Sequence, residues 1–360
     1  LAHIALAGGG TGGHVYPAIA IGDVLRQRGH VVIYYGDETR LEGRVAPKKG
    51  YTFRPVQAMQ YPRSGLLGKA RFALSLIWSA LATRRTLKSD KIDLVLGVGG
   101  YISAPPVLAA WLLRRGRVVH ESNVVPGLAN KLCAKLSHQV LLNFEATKGK
   151  IGGKSHLLVG MPVNPAILAG VREEAAKHYG LCADKPVALF VGGSLGAARI
   201  NEFAITAGKS TSREYQVLHL CGDRFLEQVE SEYNELPDDV KLVGYEHQMG
   251  LAYAMADVVV CRAGSSTLAE LCAVGLASIL VPSPHVAENH QEANARGLET
   301  VGAAKVLVER DWDVEQALDS LSALLGDPEQ LKQMSLAAKG LARLDAAEAA
   351  ANAVEAVLGR

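Results

Sequence analysis

Leu189-Phe190-Val191-Gly192-Gly193-Ser194-Leu195-Gly196-Ala197 is an apolar, strand-like run that ends in a glycine turn. The same arrangement stands near the start of the chain, where His3–Ala7 runs into Gly8-Gly9-Gly10-Thr11-Gly12-Gly13-His14. Glycine allows positive φ and close backbone approach, so free amides and the N-terminus of the next helix can hold a phosphate or a sugar hydroxyl. A single turn of this kind is equally what tight strand-to-helix packing needs; two at equivalent points of two halves point to a ligand. Outward from these turns, strand-like runs at His3–Ala7, Val31–Tyr35, Leu94–Gly97, Val118–His120 and Val140–Leu142 alternate with helical stretches near 16–28, 65–86, 102–114 and 125–136. After Gly160-Met161-Pro162 the pattern restarts, with strands at Val187–Val191, Gln216–Leu220, Lys241–Val243, Asp257–Val260 and Ser278–Val281 and helices near 197–206, 224–232, 265–274, 289–299 and 311–325. Alternating strands and helices imply parallel sheets covered on both faces. The expectation is an α/β chain of two Rossmann-like domains, 1–160 and 161–340, whose parallel sheets face each other across a cleft at their carboxyl edges. The Ala-rich end reads as terminal helices, the last of which, in 341–360, can cross back to the first domain.

A chain of 360 residues suits two domains, and 49% hydrophobic with 21% charged residues excludes a disordered or fibrous chain. Five cysteines, none in a CxxC pair, argue against a disulfide framework or zinc site and favour a reducing compartment. No stretch reaches about 18 uninterrupted apolar residues, so no spanning helix is expected. Leu1-Ala2-His3-Ile4-Ala5 opens straight into a strand, so a soluble, cytoplasmic chain without a signal peptide is expected. The net charge of +2 conceals a division: residues 1–160 hold 22 Lys+Arg against 8 Asp+Glu, and residues 161–360 hold 16 against 28. The basic half suggests an anionic partner, whether nucleic acid, a phosphate substrate or a membrane surface.

Gly8, Gly10 and Gly13 also satisfy G-x-G-x-x-G, and Asp37 stands where a dinucleotide fold places its ribose-binding acid. A nicotinamide or flavin oxidoreductase is therefore a rival. Against it, His14-Val15-Tyr16-Pro17 interposes a polar group and a proline before the helix. His14, in a glycine loop with no core to fill, reads as catalytic or ligand-contacting. A third glycine turn, Gly97-Val98-Gly99-Gly100-Tyr101, follows another strand. In the second half Cys261-Arg262-Ala263-Gly264-Ser265-Ser266-Thr267-Leu268-Ala269-Glu270 sets a turn and N-cap whose amides at 265–267 project at a ligand, with Glu270 placed to accept hydrogen bonds from vicinal hydroxyls such as a ribose. Taken alone, Glu270 reads as a solvated helix residue. Asn289-His290-Gln291 and His120-Glu121-Ser122-Asn123 are polar clusters after strand ends, where sites usually lie. Asp311-Trp312-Asp313 has the form of a Mn²⁺-binding D-x-D, but Asp311 ahead of a helical run reads first as an N-cap or first-turn charge.

Gly9–His14, Gly97–Tyr101, His120–Asn123, Gly192–Ala197, Cys261–Gly264, Glu270 and Asn289–Gln291, in this order and over nearly the whole chain, closely resemble the MurG family of N-acetylglucosaminyltransferases of peptidoglycan synthesis, members of glycosyltransferase family 28. The resemblance implies a GT-B fold, UDP-GlcNAc bound mainly by the second domain and the lipid-linked acceptor, lipid I, at the first. It implies donor contacts from Thr11, Gly12, Gly13, Asn123, Ser194, Ser265, Ser266, Thr267, Leu268, Ala269, Glu270 and Gln291. Glu270 would take the ribose hydroxyls, Gln291 those of the sugar, and the backbone near Tyr245-Glu246 the uracil. Many relatives carry an arginine after the proline of the interdomain loop; here Pro162-Val163 is followed by Asn164, whose neutral amide lacks arginine's phosphate fork. Arg262 or Arg199 would then supply the charge, or helix N-termini would.

The implied reaction is inverting glycosyl transfer, in which the C4 hydroxyl of the muramyl sugar attacks the anomeric carbon while UDP departs. His14 is the candidate base and Glu121 the fallback; no cofactor and no metal is called for, since amides and helix N-termini can stabilise the diphosphate. No acid occurs from residue 43 to residue 89, a window carrying Arg63, Lys69, Arg71, Arg84, Arg85 and Lys88 around Phe72–Trp78. Leu67, Leu74, Ile77, Trp78 and Leu81 fall largely on one helical face, which suits either a core helix with a basic outer side or an interfacial helix on anionic lipid. Trp111–Arg117 offers a second basic-aromatic patch. The chain shows no nucleic-acid recognition module, so a membrane surface is preferred to nucleic acid. The enzyme is expected peripherally at the cytoplasmic face of the membrane. A UDP-sugar epimerase and a non-catalytic nucleotide-sugar sensor also remain compatible with the donor motifs.

Overall fold

The computed structural model describes residues 1–59, 65–193, 196–311 and 313–359. The chain divides into two compact units, Leu1–Val163 with Arg343–Arg360, and Asn164–Ala342. Unit 1 runs β1 (His3–Gly8), α1 (Gly12–Gln27), β2 (Val31–Gly36), α2 (Leu41–Lys48), β3 (Thr52–Pro55), α3 (Leu66–Ser89), β4 (Leu94–Gly99), α4 (Ala104–Leu112), β5 (Gly116–Glu121), α5 (Leu128–Leu136), β6 (Gln139–Leu142) and β7 (His156–Leu158). Unit 2 runs α6 (Arg172–Tyr179), β8 (Val187–Val191), α7 (Ala198–Lys209), β9 (Gln216–Leu220), α8 (Leu226–Tyr233), β10 (Val240–Val243), α9 (Met249–Met255), β11 (Val258–Cys261), α10 (Ser265–Val274), β12 (Ala277–Leu280), α11 (His290–Thr300), β13 (Ala304–Val306), α12 (Val314–Leu325) and α13 (Pro328–Gly340). A last helix, α14 (Ala346–Leu358), belongs to unit 1.

Both sheets are parallel and share one order. The first is β3-β2-β1-β4-β5-β6-β7 and the second β10-β9-β8-β11-β12-β13. Their central strands are unbroken apolar runs, Ile4–Ala7 and Leu94–Leu96 in unit 1 and Val187–Phe190 and Val258–Val260 in unit 2, all fully buried. That is the signature of a sheet covered on both faces. In each sheet the winding reverses beside the first strand, between β1 and β4 and between β8 and β11. Loops leaving the carboxyl ends there part to opposite faces, and the backbone between them is open to a ligand.

One element differs from what the sequence suggests, and a second is narrowed from two readings to one. Helix α1 begins at Gly12, with Thr11 extended as N-cap, and carries Pro17 inside it. The glycine turn thus runs straight into its helix, and His14 is a first-turn residue; the proline costs one backbone bond, to the Gly13 carbonyl, without ending the helix. Helix α3 is not a core helix. Leu67 (89% exposed), Leu74, Ile77, Trp78 (74%) and Leu81 face solvent, whereas Ala80 and Leu87 are buried. No helix among the described residues is long and apolar enough to cross a membrane.

Helix α14 packs against α1, with Ala350, Ala351 and Val354 fully buried in the core that holds Ile4, Leu6 and Val15. Alanines let the two helix backbones approach closely. Glu355 then accepts from Arg28 at 2.7 Å and from His30 Nε2 at 3.0 Å, and the His30 bond leads in holding its carboxyl below the usual range. Ala350→Leu forces extra volume into this seam and should cost about 1–3 kcal/mol. A lowered denaturation midpoint for unit 1 checks it; an unchanged midpoint means that α14 is only loosely seated.

Candidate functional site

In unit 1 the turns after β1 and β4 are packed on one another. Gly9 N donates to the Gly99 carbonyl at 3.3 Å. A Cβ on Gly100, whose φ is +77°, would stand 2.5 Å from the Gly9 oxygen. One on Gly99 would stand 2.7 Å from the His14 ring. The third glycine turn is therefore the buttress of the first, and its glycines make room for the Gly9 carbonyl and the imidazole. His14 Nδ1 lies 3.1 Å from the Gly9 oxygen and 3.3 Å from Thr11 Oγ1. A carbonyl can only accept, so Nδ1 carries the proton in the neutral ring and Nε2 the lone pair. The Thr11 carbonyl takes the amides of His14 and Val15, which leaves the Gly12 and Gly13 amides at the mouth of α1 without an intrahelical acceptor.

Glu42, which no motif marks in the sequence, sits under this turn. It is fully buried, and its carboxylate accepts from Gly10 N at 3.0 Å and from Asp37 N at 3.3 Å. A Cβ on Gly9 would collide with it at 2.0 Å. The amide that a dinucleotide phosphate would seek is thus occupied by an acid of the chain itself, which would also repel that phosphate. This, and not an interposed proline, is what argues against the oxidoreductase.

Of the cluster His120–Asn123, His120 and Glu121 are the last residues of β5, and Ser122 and Asn123 follow it. His120 is buried, and its Nε2 donates to the Gly160 carbonyl at 2.8 Å; burial lowers its pKa to about 4, so it is neutral. Glu121 is 1% exposed and accepts from Asn123 N at 2.9 Å, Asn130 Nδ2 at 2.8 Å and Gly127 N at 3.3 Å. Burial raises its pKa while these bonds oppose the rise. A carboxylate so enclosed pins the 121–130 loop and has no reach to a substrate hydroxyl, so it does not serve as the fallback base. The Asn123 carbonyl accepts from Thr147 Oγ1 at 2.9 Å, which fixes the same loop.

In unit 2 the turn after β8 packs inward. A Cβ on Gly196 (φ +68°) would meet the Cys221 oxygen at 2.4 Å and the Phe225 ring at 2.6 Å. Beneath it Asn201 Nδ2 donates to that oxygen at 3.1 Å, and Asn201 Oδ1 accepts from His219 Nε2 at 3.1 Å. Ser194 and Leu195 lie outside the described residues. After β11, Gly264 caps α10, and its carbonyl takes the Leu268 amide at 3.0 Å. The Leu268 amide is therefore spent, and that of Ala269 is spent by the ordinary helical pattern; Leu268 itself is buried. The amides open to a ligand are those of Ser265, Ser266 and Thr267. The Ser266 Oγ is buried and has no hydrogen-bond partner among the described residues.

Glu270, one and a half turns further along α10, accepts from the Tyr253 hydroxyl at 2.7 Å. Burial raises the Glu270 pKa and lifts that of Tyr253 far above its ordinary value, so the phenol stays a donor and orients the carboxylate. Tyr253, on α9, is a second residue that no sequence pattern signals. Arg262 is ion-paired with Glu309 and donates to the Val281 carbonyl at 3.1 Å, so its charge is balanced within the unit. Arg199 pairs with Glu202 at 2.6 Å. Asn164 Oδ1 accepts from Ala166 N at 3.1 Å, a turn cap. Glu246 accepts from the Tyr179 hydroxyl at 2.7 Å and from Gln248 N, so any base contact there falls to the backbone. Gln291 Oε1 takes Ser283 N at 2.9 Å and ties α11 to the loop after β12. The N-cap of α12 is Asp313, accepting from Gln316 N at 2.8 Å, whereas Asp311 pairs with Arg310; Trp312 lies outside the described residues.

Residues 4–142 match the glycosyltransferase family 28 N-terminal domain and residues 187–352 the glycosyltransferase family 28 C-terminal domain. A protein of Caldanaerobacter subterraneus subsp. tengcongensis named UDP-N-acetylglucosamine--N-acetylmuramyl-(pentapeptide) pyrophosphoryl-undecaprenol N-acetylglucosamine transferase is 37% identical over 347 residues, covering 94% of this chain and 95% of its own. A Halorhodospira halophila protein of the same name is 37% identical over 358 residues, covering 98% of each. The crystal structure of Acinetobacter baumannii MurG superposes with a TM-score of 0.81 at 27% identity, over 99% of this chain and 100% of that one. With both parallel-sheet units of a GT-B fold in place, the chain belongs to glycosyltransferase family 28 and, within it, to the MurG family of N-acetylglucosaminyltransferases.

Proposed function

We propose that this enzyme transfers N-acetylglucosamine from UDP-GlcNAc to the C4 hydroxyl of undecaprenyl-diphosphate-linked MurNAc-pentapeptide, lipid I, giving lipid II, while bound peripherally at the cytoplasmic face of a membrane. The near full-length likeness to transferases named for this reaction carries the reading. It gives no support to an epimerase or an oxidoreductase. Unit 2 takes the donor. The amides of Ser265–Thr267 and the α10 N-terminus meet the diphosphate, and Glu270, aimed by Tyr253, accepts the ribose hydroxyls. His14 removes the acceptor proton as the hydroxyl oxygen bonds the anomeric carbon and the bond to UDP breaks. Release of UDP from UDP-GlcNAc only when a lipid I analogue is present is the expected result. Turnover without acceptor, or none with it, would sink the assignment.

Glu270→Ala removes a charged hydrogen-bond acceptor, typically worth about 1.5–3 kcal/mol, so KM for UDP-GlcNAc should rise by one to two orders of magnitude. An unchanged KM removes Glu270 from the donor site. Because the carboxyl titrates above the ordinary carboxylate range, its protonation should weaken donor binding as pH falls, through a midpoint higher than the usual ~4.3. A donor KM that is flat down to that value would show that the ionised form is not needed.

The membrane reading rests on α3. Arg71, Arg84 and Arg85 are exposed beside the outward apolar side chains, and Trp111 and Leu112 of the adjacent α4 are exposed as well; Arg63 and the Lys69 side chain lie outside the described residues. Apolar groups would enter the acyl boundary while cations meet anionic headgroups at about 1 kcal/mol each. Replacing the three arginines with Glu should weaken binding to anionic vesicles and reduce its salt dependence, with turnover of a short-chain soluble acceptor near normal. Unchanged vesicle binding would leave the charge asymmetry without this explanation. Collapse of soluble-acceptor turnover would instead place the arginines in catalysis or folding.

A further inference from the structure

One peptide unit joins Glu42, a buried acid of unit 1, to the proposed base. The Gly9 carbonyl accepts His14 Nδ1 at 3.1 Å, and the N–H of that same peptide, on Gly10, donates to Glu42 Oε2 at 3.0 Å. We propose that Glu42 is a positioning residue for the transfer reaction, acting on His14 through the Gly9–Gly10 peptide as a carboxylate–peptide–imidazole relay. The inference deepens the reading of His14 as the base and rests on it.

The chemistry of the site fits an ionised acid and nothing else of its size. Both of its partners, Gly10 N and Asp37 N, are donors. A glutamine would accept from one and turn an NH2 group on the other. Glu42 is fully buried, and an ionised carboxylate is kept in such a place only by bonds of this kind. Its charge polarises the peptide, making the N–H a better donor and the carbonyl a better acceptor, since hydrogen bonds in series strengthen one another in a low-dielectric site. During transfer the acceptor oxygen bonds to the anomeric carbon, the bond to UDP breaks with its electron pair leaving on the diphosphate, and the acceptor proton goes to His14 Nε2. The imidazolium so formed is held by Nδ1–H on the Gly9 carbonyl, whose peptide N–H donates to Glu42. Glycine is required along the whole path: at Gly9, where a Cβ would strike the carboxylate, at Gly100, where one would strike the Gly9 oxygen, and at Gly99, where one would strike the ring.

Two other titratable groups that face this path, Tyr34 and His120, keep their charge over the working pH range. Tyr34 of β2 donates to the Gly8 carbonyl at 2.8 Å, and burial above all raises its pKa far beyond the ordinary value. His120 of β5 is neutral, with a pKa lowered to about 4. Asp37 meets Glu42 through its backbone amide. A fall in the titration of His14 on Glu42→Gln is therefore assigned to loss of the Glu42 charge behind the Gly9–Gly10 peptide.

The test is a titration of ¹⁵N-histidine-labelled full-length protein, wild type and Glu42→Gln, followed by NMR, beside kinetics with UDP-GlcNAc and a soluble lipid I analogue. Neutral His14 in the wild type should be the Nδ1–H tautomer. In the variant the ring should titrate about half a unit or more lower, and kcat should fall about tenfold or more, with KM for UDP-GlcNAc within about twofold, since the donor groups lie in unit 2. An Nε2–H tautomer in the wild type overturns the proposal without any variant, which covers the case of a Glu42→Gln chain that does not fold. An unmoved ring titration overturns it too. If the titration moves and kcat does not, His14 is not the base; the failure then belongs to the reading of His14, and the positioning claim falls with it.

Discussion

The strand order shared by the two sheets is the constraint on which the rest of the molecule depends. With the order reversing beside β1 and beside β8, the chain leaves each of these strands and its neighbour, β4 or β11, toward opposite faces. Helices cover the faces but not the crevice between those exits. Backbone amides are left open to a ligand there. Four of the chemically informative stretches of the chain, Gly8–His14, Gly97–Gly100, Gly192–Ala197 and Cys261–Glu270, lie at the carboxyl ends of these four strands.

The same topology is put to two electrostatic uses. In unit 1 the first turn is filled from within by Glu42, which makes the loop a rigid support for an imidazole and a poor seat for phosphate. In unit 2 the matching turn lies against a carbonyl and the Phe225 ring, and the open amides are supplied by α10. Residues 161–360 carry 28 acids against 16 Lys+Arg, yet this half is the one proposed to take the UDP diphosphate. Local helix N-termini therefore decide the matter over net charge, because fixed amides act at hydrogen-bonding distance while scattered surface charges are screened. Arg262 makes the same point from the other side, since Glu309 cancels it within the unit.

The central strands are legible in the sequence as continuous β-branched and aliphatic runs, and glycine turns mark their carboxyl ends. The edge strands β3, β7 and β13 are not, being three or four residues long and holding exposed or polar positions such as Thr52, Arg54 and His156. The start of α1 is misleading in sequence because a proline at 17 suggests a helix boundary, whereas the first turn is already formed and loses one bond only. Helix α3 is legible as a choice between two readings, since periodicity shows an apolar face but not what covers it. Solvent exposure of Trp78 and Leu74 decides against the core.

The site residues that sequence pattern hides or misrepresents share one cause. Glu42 is 32 residues from the Gly10 amide it accepts from, and Tyr253 is 17 residues from Glu270; neither forms a local motif. Glu121 misleads in the opposite way, because its polar neighbours look like a ligand-reading cluster when they are its own hydrogen-bond donors. A loop acid is a candidate base only if its oxygens are left to a substrate, and sequence spacing is silent on that. What distinguishes the three acids is who their partners are. Glu121 is satisfied by the loop it pins, and Glu42 by the backbone that carries His14. Glu270 has a phenol on one oxygen, which orients the carboxylate and leaves it acceptor capacity for the vicinal hydroxyls that the proposed donor would bring.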